Sequence, residues 1–388
     1  MPRPGAVLAA GLGFCSLYCL SAFENPTLLY PLMPVFLDRL PYQGELPASF
    51  DTVGRQLYAG LGYAPDDEPA AQLCEQLADS HEIVFYTDHW NLRLAGLFPK
   101  DGGEVAYFGF WETAGVLLTN QLAFDELLKD AAARGFKKVQ GPLHFSTYFR
   151  YRLRLGAVPS WKQFNREPVN PPYYPNLLEQ LGFQPVLHFE SHCLRASTVP
   201  QVYEQRRAVQ EQLRESPFEF IPLVPGTWQA LEDEIFELVQ QVFSQNPAYR
   251  PVGKAQFRLL YNEQYAEGLC PHTSVLFRHR ATGQLAALSL CQPNYHQLGR
   301  TVSAHPVFAR DYPRLTTRTL LAKTVGVHPD FRGQGLQAML AAYAMQEFQA
   351  YYDDVIFCLM RAGNRSLSFI KDLPTEVAHY ALFERDVA

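Results

Sequence analysis

From Ile83 onward the apolar positions follow two alternating rhythms. The run "IVFYTDHWNLRLAGLFP" is β-branched, aromatic and close to period two on either side of Asp88 and His89. That pattern predicts two strands, and "EVAYFGFWET" predicts a third. The spacing then changes. "NQLAFDELLKDAAARGF" repeats its apolar residues at helical intervals, with Asn120 placed to cap the helix and Gly135 to stop it. "KKVQGPL" predicts the next strand, "NPPYYPNLLEQLGF" a short proline-started helix closing at Gly182, and "QPVLHFESHCL" a further strand.

Between Arg195 and Pro217 the stretch "RASTVPQVYEQRRAVQEQLRESP" loses any steady apolar stripe. It is expected to be a linker carrying an exposed helix, with a domain boundary near Pro200. A second round follows. "FEFIPLV" predicts a strand, "TWQALEDEIFELVQQVF" a helix capped by Thr227, and "KAQFRLLYNEQYA" another helix. "TSVLFRHRATGQLAALSLC" predicts two strands joined across Ala281 to Gly283, and "RTLLAKTVGVHP" a long strand. "GLQAMLAAYAMQEFQAY" predicts a helix, and "VIFCLM" and "HYALFER" the last strands. Both halves mix hairpins with helices, which predicts an α/β (α+β mixed sheet) fold rather than a bundle or a sandwich.

Composition narrows the function classes. The chain has 388 residues, 47% hydrophobic and 19% charged, which suits about two domains. The expected division is 1–40 as an N-terminal extension or arm, 41–199 as one domain and 200–388 as the second. The formal net charge of -6 gives no electrostatic footprint for nucleic acid or an anionic membrane, so neither is expected as a partner. Seven cysteines are scattered without a C-x-x-C pair, which suggests neither a metal site nor a disulfide framework. Reduced, mostly buried thiols in a cytoplasmic protein are expected. The opening "MPRPGAVLAAGLGFCSLYCLSAF" has a single arginine before an apolar run interrupted by glycines. It is taken as an extension or packed arm in preference to an export signal, with translation from Met33 as a further alternative.

The chemically specific segment is "VGVHPDFRGQGLQAML", from Val325 to Leu340. A strand ending at Val327 turns through His328 and Pro329 into "RGQG", which opens a helix. The first turn of a helix has N–H groups without intrahelical partners and carries partial positive charge. Glycines let the backbone approach a ligand, successive N–H groups form an anion-holding concavity, and Arg332 adds a full charge. The ligand expected there is a phosphate or pyrophosphate. Neither a Walker loop nor a G-x-G-x-x-G fingerprint fits the spacing.

These residues resemble the GNAT superfamily of acyl-CoA-dependent acyltransferases, whose signature is Arg/Gln-x-x-Gly-x-Gly/Ala at a strand-to-helix junction. Arg332 and Gly335 match it; the last Gly/Ala is Gln337, with Ala338 next. The resemblance implies two tandem acyl-CoA N-acyltransferase-like domains, the first degenerate. "LGF" at Leu181, Gly182 and Phe183 is similar to the tail helix of the same superfamily, but "WETAGVLLTNQLAF" offers no cradle for a pyrophosphate. The implied co-substrate is acetyl-CoA or another acyl-CoA, with no metal. Its implied contacts are Val325, Val327, Arg332, Gly333, Gln334, Gly335, Leu336 and Asn364, with the Val327 amide facing the thioester oxygen.

The implied reaction moves an acetyl or other acyl group to an amine of a small molecule or peptide. Candidate bases are His328 and His305, the histidines nearest the motif in sequence. The family tyrosine that protonates the departing thiolate is absent from "NRSLSF", leaving Tyr380 or Ser366 as candidates beside Asn364. In the first half, Arg150, Arg152 and Arg154 alternate and could share one face of an extended segment. They are expected either to wall an acceptor pocket for a carboxylate or phosphate, or to form a solvated or domain-contact surface. Two other functions remain open: an aminoacyl-tRNA-dependent peptidyl-type transferase of the tandem fold, and a non-catalytic acyl-CoA-binding protein. Acceptor identity, acyl-chain length and oligomeric state are not legible.

Overall fold

The computed structural model describes residues 36–364, 367, 370 and 372–387. Residues 1–35 of the expected 1–40 extension and the candidate Ser366 lie outside the described residues, while Asp38–Pro41 at its end pairs as a strand with the first half. The first half runs β1 (Asp38–Pro41), α1 (Phe50–Tyr58), α2 (Ala70–Leu77), β2 (His81–Thr87), β3 (Leu92–Pro99), β4 (Val105–Thr113), α3 (Leu117–Ala133), β5 (Lys138–Gly141), β6 (Leu153–Leu155), α4 (Tyr174–Gln180) and β7 (Gln184–Leu194). The second runs α5 (Val199–Leu213), β8 (Phe218–Pro222), α6 (Pro225–Phe243), α7 (Lys254–Arg258), α8 (Glu263–Glu267), β9 (Val275–His279), β10 (Leu285–Pro293), α9 (Arg300–Ala304), α10 (Phe308–Asp311), β11 (Thr319–Val327), α11 (Leu336–Tyr351), β12 (Asp354–Arg361) and β13 (Glu376–Asp386).

Among the described residues the strands join one mixed sheet in the order β1-β2-β3-β4-β5-β13-β7-β12-β11-β10-β9-β8, with β6 on β13. Each half repeats one plan: an antiparallel meander feeds a parallel pair through a helix. β4 reaches β5 through α3, and β11 reaches β12 through α11. The middle of the sheet is reciprocal. β13, the last strand of the chain, pairs with β5 of the first half, while β7 of the first half pairs with β12 of the second. The mixed α/β sheet is the architecture predicted from the alternation of element types.

Local starts differ from expectation where exposed apolar residues disguise a helix end. α3 begins at Leu117, with Val116 as its cap. Asn120 lies inside the helix, buried, donating to Thr113 Oγ1 at 2.7 Å and accepting from Trp111 Nε1 at 3.0 Å. α6 begins two residues before Thr227, at Pro225, whose fixed φ suits a first helical position. The helix expected over "KAQFRLLYNEQYA" is two, α7 and α8, because Asn262 Oδ1 accepts from Tyr265 N at 2.9 Å and restarts the chain.

Candidate functional site

Two adjacent strands part company in the second half. β11 and β12 pair only from Thr319 with Asp354 to Ala322 with Phe357. At that level each strand is irregular. The β10–β11 register shifts between Leu290 and Cys291, leaving Lys323 without a cross-strand partner. The β12–β7 register shifts between Phe357 and Met360, and Leu359 there has a left-handed φ of 58°. A bulge bends its strand and raises its twist, so opposed bulges drive the two strands apart. Past Lys323, β11 is paired with β10 alone, and the alternate backbone groups of 324–327 that point away from β10 border the gap.

The gap opens onto the start of α11. The chain leaves β11 through a short 3-10 turn, Pro329–Phe331, pinned by the buried Phe331 ring against Phe218. Gly333 and Gly335 both hold left-handed φ, 82° and 77°, and Gly335 caps the helix. A Cβ built at either would meet nothing within 4 Å, so the space in front of the first-turn amides is open. Arg332 reaches back along this loop, donating from Nη2 to Val242 O at 3.1 Å and from Nε to Val327 O at 3.4 Å.

Gap and loop belong to one cavity of about 880 Å³ that continues into the first half. Seven of the residues selected by sequence line it: Val325, Val327, Arg332, Gly333, Gly335, Leu336 and Asn364. Arg150 and Arg152 line it as well, whereas Arg154, Gln334, His328, His305 and Tyr380 do not. Gln334 is an exposed loop residue whose amide leans on Asp330 O at 3.5 Å. His328 is occupied in the turn, its Nδ1 accepting from Asp330 N at 3.2 Å and its Nε2 beside the Gln284 amide. His305 is an exposed residue closing α9. Tyr380 is fully buried, and its hydroxyl donates to Glu167 Oε1 at 2.6 Å. Neither histidine lines the cavity, although both were chosen for nearness to the motif in sequence.

The titratable groups brought into the cavity are others. Glu167 lines it, buried to 3% exposure, with its carboxylate receiving Phe164 N at 3.0 Å and lying 3.7 Å from Arg154. Burial pushes that carboxyl up to about 7, against the downward pull of the Tyr380 hydroxyl. Lys323 is partly open to the cavity and donates to Asn165 O at 2.5 Å. Enclosure lowers its ammonium to about 8. Across the gap, burial pushes the Cys358 thiol up. A single charged residue in the apolar strand "TLLAKTVGV" was a usable signal for Lys323. Nothing in "NREPVN" distinguishes Glu167 from a loop carboxylate.

The matching place in the first half is filled. β4 and β5 pair only over 105–107 and 138–140. Beyond them Leu143 N donates to Phe108 O at 2.8 Å, Phe110 N donates to His144 Nε2 at 2.9 Å, and the Phe110 and His144 rings stack at 4.0 Å. A Cβ on Gly109 would meet Leu143 O at 2.7 Å. Among the described residues, no group of three or more His, Cys, Asp or Glu could hold a metal ion, and no helix is long and apolar enough to cross a membrane.

No family model matches the chain, and no curated protein matches it. Solved structures similar to it include a tandem GNAT protein from the clavulanic acid biosynthesis pathway, at 11% identity and a TM-score of 0.49, covering 91% of this chain and 99% of that one. A GCN5-related N-acetyltransferase from Sphaerobacter thermophilus is 13% identical with a TM-score of 0.42, covering 90% and 96%. The C-terminal domain of a putative lysylphosphatidylglycerol synthetase from Agrobacterium fabrum is 9% identical with a TM-score of 0.38, covering 86% and 92%. Likeness at this level concerns the fold, and function is argued from the site.

Proposed function

We propose that the second half binds an acyl-CoA thioester and moves its acyl group to an amine. The observation that carries this is the parting of β11 and β12 at Lys323 and Cys358, in one cavity with a helix start opened by two left-handed glycines. The amides after Gly333 and Gly335, with Arg332, would hold the diphosphate. The free edge of 324–327 would receive the pantetheine arm and the thioester oxygen, with Val327 and Asn364 bordering it. The thioester supplies an activated acyl group.

The chain's own groups then manage protons. Glu167, with its carboxyl near 7, accepts the proton of the incoming amine. Lys323, with its ammonium near 8, returns a proton to the departing thiolate across the gap from Cys358. Between about 7 and about 8 the carboxyl is mostly ionised while the ammonium still mostly holds its proton, the order that transfer requires.

The test is thermal stabilisation of the full chain by coenzyme A and acetyl-CoA, since a ligand selective for the native state raises the melting temperature. A rise that disappears in the double variant Arg332→Ala, Gly335→Trp supports the assignment, and an unchanged rise overturns it. Release of free thiol from acetyl-CoA over a panel of amines then separates a transferase from a binding protein.

A further inference from the structure

The alternating arginines of the first half have three different fates. Arg150 lies 3.2 Å from Glu112, and Arg154 lies 3.7 Å from Glu167. Arg152, between them, has φ +67°, which breaks the alternation and turns it to a different environment. Its guanidinium carbon stands 3.8 Å from the Tyr151 ring centroid and 4.2 Å from that of Phe189. Nη1 donates to Leu359 O at 3.2 Å, and Nε, buried, has no partner. The residue is 6% exposed and lines the main cavity. Among the described residues no carboxylate pairs with it.

A guanidinium in this setting is an incomplete structure. Aromatic faces, a hydrogen bond with the Tyr151 side chain and one carbonyl do not replace the hydration of a full charge, and a buried charge without a counter-ion is strongly unfavourable. The left-handed backbone at Arg152 adds strain, which persists at sites where the surroundings use it. The Leu359 carbonyl that meets Arg152 belongs to the bulge that opens the gap, so the free charge faces the place where acyl transfer would occur.

We infer that Arg152 is the binding group for the carboxylate of the acceptor, and that the acceptor is an amine carrying a carboxylate, an amino acid. This rests on the acyl-transfer reading of the same cavity. One guanidinium balances one carboxylate, whereas a phosphate dianion would leave net charge buried. The Tyr151 and Phe189 rings around it favour an apolar or aromatic side chain on that amino acid.

The test is binding, which needs no turnover. Melting temperatures of the full chain are measured with millimolar L-phenylalanine, L-leucine and glycine, with the amide of each, and with O-phosphoethanolamine. At least one acid is expected to stabilise the wild-type protein where its amide does not. In Arg152→Met the apparent affinity for that acid falls about 30-fold or more, while the ligand-free protein melts no lower than the wild type. Equal shifts from acids and amides overturn the proposal on the wild-type protein alone, without recourse to a variant. So do silence from all the acids, a stronger shift from O-phosphoethanolamine, or full retention of acid binding in Arg152→Met. A coenzyme A shift without an amino-acid shift overturns the acceptor assignment alone. The converse overturns the acyl-CoA reading and leaves the carboxylate site standing.

Discussion

Tyr380 and Glu167, 213 residues apart, meet in a 2.6 Å hydrogen bond at the centre of the sheet. Tyr380 belongs to β13, the strand that returns from the end of the chain to sit between β5 and β7. The bond therefore makes the strand exchange part of the site: the second half supplies the tyrosine that holds a first-half carboxyl in the cavity. Arg154 and the Phe164 amide complete the grip. A carboxyl so enclosed gains partners for its charged form and still titrates high, because desolvation outweighs them.

That imbalance gives stability a definite pH dependence. An unfolded glutamate titrates near 4.3, whereas Glu167 in the fold titrates at about 7. Between those values the native state binds more protons than the unfolded state, so stability falls as pH rises through the window and is level above it. The loss is on the order of 3 kcal/mol. Urea unfolding of Glu167→Gln beside the wild type is expected to show a stability difference that moves by roughly this amount between about pH 4 and about pH 8. A difference constant over that range means Glu167 does not titrate there. Tyr380→Phe removes a bond to the ionised form and is expected to carry the acid limb of activity upward.

Lys323 has the opposite sign. Its ammonium is lowered to about 8, while an unfolded lysine holds its proton to about 10.4. Between these values the unfolded state binds more protons, so stability rises with pH across that interval. Partial exposure to the cavity reduces the effect to about 1–2 kcal/mol. Lys323→Met is expected to abolish the alkaline rise, keep the coenzyme A melting shift and lower turnover by roughly 100-fold or more. The descending limb near pH 8 goes with it. Unaltered turnover would remove Lys323 from the chemistry.

The ease of reading this chain followed the range of the interactions involved. Strands with near-continuous apolar runs and the "RGQG" helix start depend on neighbours in sequence, and they formed where predicted. The main error in an element came where Leu117 and Leu118 stand exposed, so that the apolar pattern no longer marks the helix start. The site depends on contacts across the sheet. Glu167 becomes special only when β13 returns from the end of the chain, and Arg152 only when its backbone turns left-handed. Tyr380 was legible as an available tyrosine, but its partner was not. His328 and His305 show the reverse: proximity in sequence to the motif did not bring either of them into the cavity.

Gly335 separates backbone cost from ligand cost. At φ 77° a side chain is disfavoured even where space is open. Gly335→Ala is expected to lower stability by about 1–2 kcal/mol, read from urea unfolding. Its methyl group would also project near the first-turn amides, so the coenzyme A shift should fall further than stability alone explains. A full coenzyme A shift with the expected stability loss would place the diphosphate elsewhere.

Gly326 tests whether the opened edge of β11 is held from behind. A Cβ there would overlap Val242 Cγ1 of α6 and come within 3.1 Å of Cγ2, so strand and helix are in direct contact at a point where only glycine fits. Arg332 donates to the carbonyl of the same Val242, which couples this contact to the loop before α11. Gly326→Ala must push α6 away and is expected to cost about 1–3 kcal/mol. Val242→Ala removes the opposing methyls, leaving a small void. If close packing is the cause, the two changes together destabilise less than their sum, with a coupling of about 1 kcal/mol or more. The same cycle read through the coenzyme A melting shift should show Gly326→Ala weakening binding and Val242→Ala restoring part of it. Strict additivity in both measurements would mean that α6 does not set the position of the β11 edge.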